Sequence, residues 1–144
     1  ESDDPVEAVR YLIRLGYDDL AGYLAGGLLS WHTAGERSES VRLLTVHELC
    51  RLLDDDMRPW ILDVRKQEEL ENQGQIPDAH HVPLTHLPQS LGGIPKDRPV
   101  FIFCGSGLRS MIAASILKQE GWSDVAVIMG GFSGWSSTSC PIEL

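Results

Sequence analysis

Short apolar runs alternate with longer amphipathic segments along the chain from about residue 41. Continuous apolar runs are typical of buried strands, whereas apolar positions at helical spacing predict helices. The predicted strands are VRLL (41–44), WILDV (60–64), PVFIFC (99–104) and DVAVIM (124–129), with a brief strand inside IPDAHHVPL (76–84). The predicted helices are TVHELCRLLDDD (45–56), RKQEELENQG (65–74) and RSMIAASILKQEG (109–121). This alternation predicts an α/β fold, a parallel sheet of about five strands with helices on both faces.

Local signals mark where several of these elements begin and end. Thr45 stands at an N-cap with Glu48 three residues later, which is the pattern of a capping box. Gly74 is expected to end the second helix, because glycine is favoured just after a helix C-terminus. Gly130 and Gly131 are predicted to form a turn after the last strand.

Charged and reactive side chains follow two of the predicted strands. Asp63 and Arg65 lie at the end of one strand, and Cys104 and Arg109 follow another. Chemistry in an open parallel sheet gathers at the carboxyl ends of the strands. We therefore expect a functional site where these two strand ends meet.

The segment CGSGLRS (104–110) is predicted to form a tight loop before a helix that begins near Arg109 or Ser110. Its glycines permit positive φ, so successive backbone amides can converge on one point, as in an anion-binding nest at a helix N-terminus. Such amides stabilise a thiolate and lower the pKa of a cysteine at that point. Cys104 is therefore a candidate nucleophile. The alternative is a small buried residue that continues the strand.

Composition and charge limit the classes of partner. The 144 residues suffice for one domain and an appendage, and 12 Lys and Arg against 21 Asp and Glu give a formal net charge of −9. An acidic chain lacks the basic surface that nucleic-acid backbones require. No apolar run approaches the roughly 20 residues that span a bilayer, so we expect no nucleic-acid and no membrane partner. Since the chain begins with Glu1, we expect a fragment or a processed form.

The cysteines and histidines show no metal-binding pattern. Cys50, Cys104 and Cys140 form no CxxC pair and no zinc-ligand spacing. Their odd number does not suggest a disulfide framework, so we expect reduced thiols and a cytoplasmic location. His80 and His81 are neighbours on a predicted strand and point to opposite faces, so we expect no metal site. No cofactor is expected, and no histidine is marked as the partner of a catalytic cysteine.

The first part of the chain repeats the last helix, strand and turn of the pattern. The segment AVRYLIRLGYDDLAGYLAGGLLSW (8–31) aligns with AASILKQEGWSDVAVIMGGFSGW (113–135) with one gap. Matched pairs include Leu12 with Leu117, Gly16 with Gly121, Gly26 with Gly130, Gly27 with Gly131 and Trp31 with Trp135. We expect residues 1–38 to hold a helix–strand remnant of a preceding related unit and a linker, and residues 39–144 to be the complete unit. The alternative is a chance resemblance between two helix–glycine–strand segments.

The loop and three further motifs resemble those of the rhodanese family of sulfurtransferases. The loop fits the family pattern Cys-x-x-Gly-x-Arg-Ser, and ILDVRKQEEL (61–70) resembles its Asp-Val-Arg-x-x-x-Glu segment. GQIPDAHHVPL (74–84) and MGGFSGW (129–135) resemble its Gly-His-Ile-Pro-Gly-Ala-x-x-Ile-Pro-Leu and Gly-Gly-x-x-x-Trp segments. Gln75 and Asp78 depart from this pattern, since histidine and glycine are usual there. The resemblance covers residues 41–144 and implies a rhodanese-like fold.

The resemblance implies a sulfurtransferase that carries a persulfide on Cys104. The thiolate takes the outer sulfur of a small-molecule donor such as thiosulfate and passes it to a thiol or cyanide acceptor. The implied substrate-binding residues are Gly105, Ser106, Gly107, Leu108, Arg109 and Ser110. Arg109 is expected to anchor the anionic end of the donor, to form a salt bridge with Asp63, or both. Arg65 and Glu68 are expected to form an ion pair that supports the loop.

Other functions are compatible with the same residues. Related phosphatases and arsenate reductases use a cysteine loop one residue longer than the six from Cys104 to Arg109, so the shorter loop favours sulfur transfer. A non-catalytic rhodanese-like module that docks or regulates a neighbouring domain is a further alternative. The repeated segment also resembles the degenerate first unit of metallo-β-lactamase-like/rhodanese fusions, which implies such a domain upstream. A partial unit exposes apolar faces, which is compatible with a homodimer.

Overall fold

The computed structural model of the protein describes residues 5–54 and 59–142. The chain divides into two compact units, one ending at Glu39 and the other beginning at Ser40. The first unit holds helices α1 (Pro5–Arg14) and α2 (Gly27–Thr33). Among the described residues, no helix is both long enough and apolar enough to cross a membrane.

The second unit is built on a five-stranded sheet in which all neighbouring strands run parallel. The strands are β1 (Arg42–Thr45), β2 (Trp60–Asp63), β3 (His80–His81), β4 (Val100–Phe103) and β5 (Val125–Met129), and their order is β1-β5-β4-β2-β3. The helices are α3 (Val46–Asp54), α4 (Gln67–Gln73), α5 (Leu108–Gln119) and α6 (Gly131–Trp135), with short 3-10 helices at Leu84–Gln89 and Leu91–Gly93. The predicted α/β fold with a five-stranded parallel sheet is confirmed.

Alternate residues of the central strands enter two apolar clusters, one on each face of the sheet. Leu62 and Ile102 belong to one cluster, which also contains Cys104. Phe101 and Phe103 belong to the other. Because both faces are buried, the strands appear in the sequence as continuous apolar runs and not as alternating patterns.

Helix α3 begins with the predicted capping box. The amide and the hydroxyl of Thr45 donate to the Glu48 carboxylate at 2.7 and 2.8 Å, and the Glu48 amide donates to Thr45 Oγ1 at 3.2 Å. Helix α4 ends at Gln73 and Gly74 is its C-cap residue, as predicted, with φ 74°. The predicted turn at Gly130 and Gly131 continues into helix α6. This helix has five residues, which is too short to show helical periodicity in the sequence.

Two of the three cysteines are joined. Cys50 in α3 and Cys140 in the segment after α6 form a disulfide, with Cα atoms 5.9 Å apart and a sequence separation of 90 residues. The prediction of reduced thiols is therefore wrong for these two residues, whereas Cys104 is free and buried. Packing of the segment after α6 against α3 brings the two cysteines together. No local sequence pattern predicts this packing.

The first unit reproduces the turn geometry of the segment to which it aligns. The φ angles of the aligned glycines are 87° and 93° for Gly16 and Gly121, 78° and 86° for Gly26 and Gly130, and 60° and 52° for Gly27 and Gly131. The described residues 17–24 have no regular secondary structure, so the prediction of a strand between α1 and α2 is wrong. A strand needs hydrogen-bonding neighbours in a sheet, and this segment pairs with none among the described residues.

Candidate active site

The reactive loop (104–110) lies where β4 ends, at the carboxyl edge of the sheet. β4 ends at Phe103 and α5 begins at Leu108, slightly before the expected start. Gly107 is the N-cap residue of α5 with φ 112°, a conformation that favours glycine. This turn allows the amides that follow Cys104 to point back toward its sulfur.

The Cys104 thiol is buried inside the reactive loop. The residue has no exposed surface, and the Gly107 amide donates to Sγ at 3.1 Å. Burial is the largest single influence on the pKa of Cys104 and acts to raise it. The hydroxyl and amide of Ser110 and the amides of Gly107 and Ser106 together outweigh burial, so the pKa lies below its ordinary value. The reactive loop therefore stabilises the thiolate.

The Ser110 hydroxyl is fully buried beside this sulfur. It has no partner of standard hydrogen-bond geometry among the described residues. It nevertheless acts on Cys104, because it is the leading favourable contribution to the lowered pKa of that thiol. A buried hydroxyl without a good partner costs about 1–3 kcal/mol. An anionic atom bonded to the Cys104 sulfur would supply the acceptor that this hydroxyl lacks.

The N-terminus of α6 holds the backbone of the reactive loop. The Phe132 amide donates to the Cys104 carbonyl at 2.8 Å, and the Ser133 amide donates to the Gly105 carbonyl at 3.1 Å. Gly131 permits this approach, since a Cβ at that position would lie 2.2 Å from the Cys104 carbonyl oxygen. Gly131 of MGGFSGW therefore serves a close backbone contact with the reactive loop.

Asp63 and Arg65 form a buried ion pair at the end of β2. Neither has exposed side-chain surface, and Arg65 Nη2 lies 2.7 Å from Asp63 Oδ2. Arg65 also donates to the Gly74 carbonyl at 2.9 Å, and its guanidinium lies 4.2 Å from the centre of the Phe132 ring. The expected pair of Arg65 with Glu68 is wrong, because Asp63 balances the charge of Arg65 and Glu68 is exposed. These contacts join β2, the end of α4 and α6.

Arg109 pairs with Glu69, so the expected salt bridge of Arg109 with Asp63 is wrong. Both terminal nitrogens of Arg109 donate to the Glu69 carboxylate, and the Nη2–Oε1 distance is 2.7 Å. The Arg109 guanidinium lowers the pKa of Glu69 to about 2, and Glu69 in turn raises the pKa of Arg109. Sequence reasoning named Glu68 and missed Glu69, although Asp-Val-Arg-x-x-x-Glu places its glutamate at position 69. This pair ties the reactive loop to α4.

The remaining predicted residues differ in what they contribute. Gly105 leaves room for the guanidinium of Arg109, since a Cβ at Gly105 would lie 2.8 Å from Nη2. Ser106 contributes its amide to the surroundings of the thiol. Leu108 is 77% exposed and is not part of the buried environment of the sulfur. Within the described parts of the chain, no cluster of His, Cys, Asp and Glu side chains could hold a metal ion.

Residues 45–138 match the family model of the rhodanese-like domain. The chain belongs to the rhodanese family. It is 38% identical to a sulfurtransferase of Allochromatium vinosum over 94 residues, which are 65% of this chain and 87% of that protein. It is 31% identical to a thiosulfate sulfurtransferase of Shewanella oneidensis over 96 residues, which are 67% of this chain and 93% of that protein.

A solved structure of the same family has a similar fold. The rhodanese-like domain protein from Staphylococcus aureus superposes with a TM-score of 0.65 at 29% identity, covering 72% of this chain and 100% of that one. The reactive loop, both ion pairs and α6 lie within the range matched to the rhodanese family. The family resemblance inferred from the sequence motifs is confirmed, and the relatives support a sulfurtransferase-type role.

Proposed function

We propose that this protein is a sulfurtransferase in which Cys104 carries the transferred sulfur as a persulfide. The Cys104 thiolate attacks the outer sulfur of a donor such as thiosulfate. A new sulfur–sulfur bond forms while that of the donor breaks, and sulfite leaves with the electron pair. A thiolate or cyanide acceptor then takes the outer sulfur, which regenerates the Cys104 thiolate.

The environment of the Cys104 thiol is the observation that carries this proposal. Amides of Ser106, Gly107 and Ser110 and the Ser110 hydroxyl lower the pKa of a buried thiol, which favours the thiolate as the nucleophile. In the persulfide, negative charge moves to the terminal sulfur. Donors already in place around it, including the incompletely satisfied Ser110 hydroxyl, would stabilise that charge without rearrangement.

The two ion pairs have positioning roles in this proposal. Asp63 and Arg65 fix the end of β2 against α6, and Glu69 and Arg109 fix the start of α5 against α4. Because Glu69 accepts from both terminal nitrogens of Arg109, this pair braces the loop, and the remaining guanidinium N–H groups are left for the anionic end of a donor. Pre-organised loops of this kind reduce the free energy needed to reach a reactive geometry.

Phosphate transfer fits the reactive loop less well. The loop has six residues from Cys104 to Arg109, one fewer than is usual in the related phosphatases. A phosphate dianion at Arg109 would also have to compete with the Glu69 carboxylate. A purely docking function would leave the stabilised Cys104 thiolate without a role.

The test is intact-mass measurement of the full chain after incubation with thiosulfate and removal of small molecules. We expect one added sulfur atom, removed by cyanide with formation of an equal amount of thiocyanate. Cys104→Ser should lose the adduct. Ser110→Ala should form it about tenfold more slowly, because it lacks one hydrogen bond to a charged sulfur.

Ser115→Ala is the matched control, since Ser115 lies on the same helix and is exposed. This variant should form the adduct at the wild-type rate. The absence of both adduct and thiocyanate would contradict the proposed reaction. Turnover of an aryl phosphate by the same preparation would favour the phosphatase alternative.

We also propose that residues 5–35 derive from a preceding rhodanese-like unit, with a metallo-β-lactamase-like domain further upstream. The similar φ angles of the three aligned glycine pairs support common descent of the two segments. Sequencing of the reading frame upstream of the codon for Glu1 tests this proposal. A start codon directly before it would contradict the proposal, and an in-frame rhodanese-like segment would support it.

A further inference from the structure

The Cys50–Cys140 disulfide is a second sulfur centre, separate from Cys104. It joins α3 to the segment after α6, which we call the C-terminal strap (136–142). Both cysteines are partly buried and pack against the apolar cluster that contains Phe103, whereas Cys104 belongs to the cluster on the opposite face of the sheet. The sheet therefore separates the disulfide from the nucleophile of the proposed transfer reaction.

A cavity of about 410 Å³ opens to solvent directly at this disulfide. Residues of α3 form one wall and residues of the C-terminal strap form the other. The lining residues are His47, Cys50, Arg51, Ser137, Thr138, Ser139 and Cys140. Both cysteines of the disulfide thus line the cavity.

The chemistry of the lining favours an anion. Arg51 carries a permanent positive charge, His47 offers a ring nitrogen, and the strap contributes hydroxyl groups. The described lining residues include no carboxylate. The Glu48 carboxylate on the same helix accepts hydrogen bonds from the amide and hydroxyl of Thr45 and also interacts electrostatically with Arg51. Among the described lining residues, Arg51 supplies a permanent positive charge on a chain whose formal net charge is −9.

We propose that this cavity binds a small thiol that carries a carboxylate or sulfonate group, and that the bound thiol opens the Cys50–Cys140 disulfide. The ligand's thiolate attacks one cysteine sulfur and forms a mixed disulfide, while the Cys50–Cys140 bond breaks and the other cysteine leaves as a thiolate. A second ligand thiolate attacks the ligand's own sulfur in that mixed disulfide. The two protein cysteines are then reduced, and two ligand thiols have been oxidised to one ligand disulfide.

This proposal is independent of sulfur transfer at Cys104, and its test uses the full chain with Cys104→Ser. Peptide mapping without reductant should first show the Cys50–Cys140 link. The rate of its opening is then measured by acid quenching and mass spectrometry with two probes, 2-mercaptoethanesulfonate and 2-mercaptoethanol. Each rate is divided by the rate for the same chain unfolded in urea, which removes the intrinsic difference between the two thiols.

The corrected rate for 2-mercaptoethanesulfonate should be about five times that for 2-mercaptoethanol. A factor of about five is expected for the attraction between two opposite unit charges in contact in water. The net charge of −9 would by itself give the opposite preference, so the sign of the effect reports the local charge of the cavity. Arg51→Gln and 0.5 M salt should both bring the ratio close to one. Arg42→Gln should leave the ratio unchanged, because the exposed Arg42 lies outside the cavity and faces Asp124.

Three results would overturn the proposal. The first is a peptide map without the Cys50–Cys140 link. The second is a corrected ratio at or below one in the folded protein. The third is a preference for the anionic probe that Arg51→Gln does not alter. The thermal unfolding midpoint of each variant is compared with that of the parent chain. An unchanged midpoint shows that the altered side chain, and not a loss of folding, changes the ratio of the two rates.

Discussion

At the scale of single residues, the charges around the reactive loop compensate one another in pairs. Asp63 neutralises Arg65 in a fully buried contact, and Glu69 neutralises Arg109 in a partly buried one. Backbone amides and the Ser110 hydroxyl are the main groups that lower the pKa of the Cys104 thiol. The Arg109 guanidinium also attracts the Cys104 thiolate, which contributes to the raised pKa of Arg109.

The Glu69–Arg109 pair leads to a prediction about stability. Glu69→Gln should lower the free energy of unfolding at neutral pH by about 1–2 kcal/mol, between the values typical of exposed and buried ion pairs. Glu68→Gln, a neighbouring change at an exposed position, should alter it by less than about 0.5 kcal/mol. Urea unfolding of both variants measures the difference. Equal losses in the two variants would show that the pair does not hold the loop.

The same pair fixes the direction of a pH dependence. The pKa of Glu69 is lowered from 4.5 to about 2 in the folded protein, chiefly by Arg109. The folded state therefore binds fewer protons at this group, and its stabilisation is complete above pH 4.5 and is lost as the pH falls toward 2. The stability difference between wild type and Glu69→Gln should shrink across that interval. A difference that stays constant there would contradict the lowered pKa.

Individual site residues were predictable from the sequence where the pattern that marks them lies within a few neighbouring residues. Cys104 and its glycines lie within a few residues of one another at a strand end, so the motif alone singles out the cysteine whose pKa the loop lowers. Glu69 is 40 residues from its partner Arg109, and only the spacing of the family motif distinguishes it from Glu68. Asp78 adopts φ 58° where the family usually has glycine, which aspartate tolerates better than most residues.

At the scale of elements, α6 supports the reactive loop through its backbone. Its first amides bind the carbonyls of Cys104 and Gly105, and this contact requires that Gly131 has no side chain. The indole of Trp135 anchors the other end of the helix, donating to the Pro141 carbonyl at 3.0 Å. The position of the reactive loop thus depends on α6, which comes after α5 and β5 in the chain.

Gly131→Ala should separate α6 from the reactive loop. The new Cβ would lie 2.2 Å from the Cys104 carbonyl oxygen at a residue with φ 52°, so both the contact and the backbone conformation are disfavoured. We expect a loss of at least about 3 kcal/mol in the free energy of unfolding and a slower reaction of Cys104 with thiosulfate.

Gly134→Ala in the same helix provides the control for that change. A Cβ at Gly134 would meet Val46 Cγ1 at 3.4 Å, an ordinary contact, and alanine favours helix formation. The free energy of unfolding should change by less than about 1 kcal/mol. If the two alanine variants are equally stable and equally reactive, the close contact at Gly131 does not position the loop.

Elements were predictable from sequence where their signals are contained within them. The capping box of α3 and the apolar runs of β2, β4 and β5 act over a few residues and were found. The Cys50–Cys140 disulfide spans 90 residues, and only tertiary packing brings its cysteines together. The strand expected between α1 and α2 failed for a similar reason, because an apolar pattern forms a strand only beside other strands.

At the scale of the whole molecule, two segments of similar sequence have different degrees of burial. Leu117 and Trp135 in the complete unit have no exposed surface, whereas the aligned Leu12 and Trp31 are 37% and 38% exposed. Over their described residues, α1 and α2 contain no buried side chain. The sequence repeat therefore preserves the turns but not the sheet that buries the apolar faces, and turn geometry is local whereas burial is not.

This contrast predicts different hydrogen exchange in the two aligned helices. Amides of α1 should exchange with an opening free energy close to zero, since opening exposes little apolar surface. Amides on the buried face of α5, near Ala114 and Leu117, should exchange only through openings of several kcal/mol, approaching global unfolding. Residue-resolved exchange at two protein concentrations measures both helices in one sample. Protection of α1 equal to that of α5 at both concentrations would contradict the prediction, because it would require burial that the described residues of α1 lack.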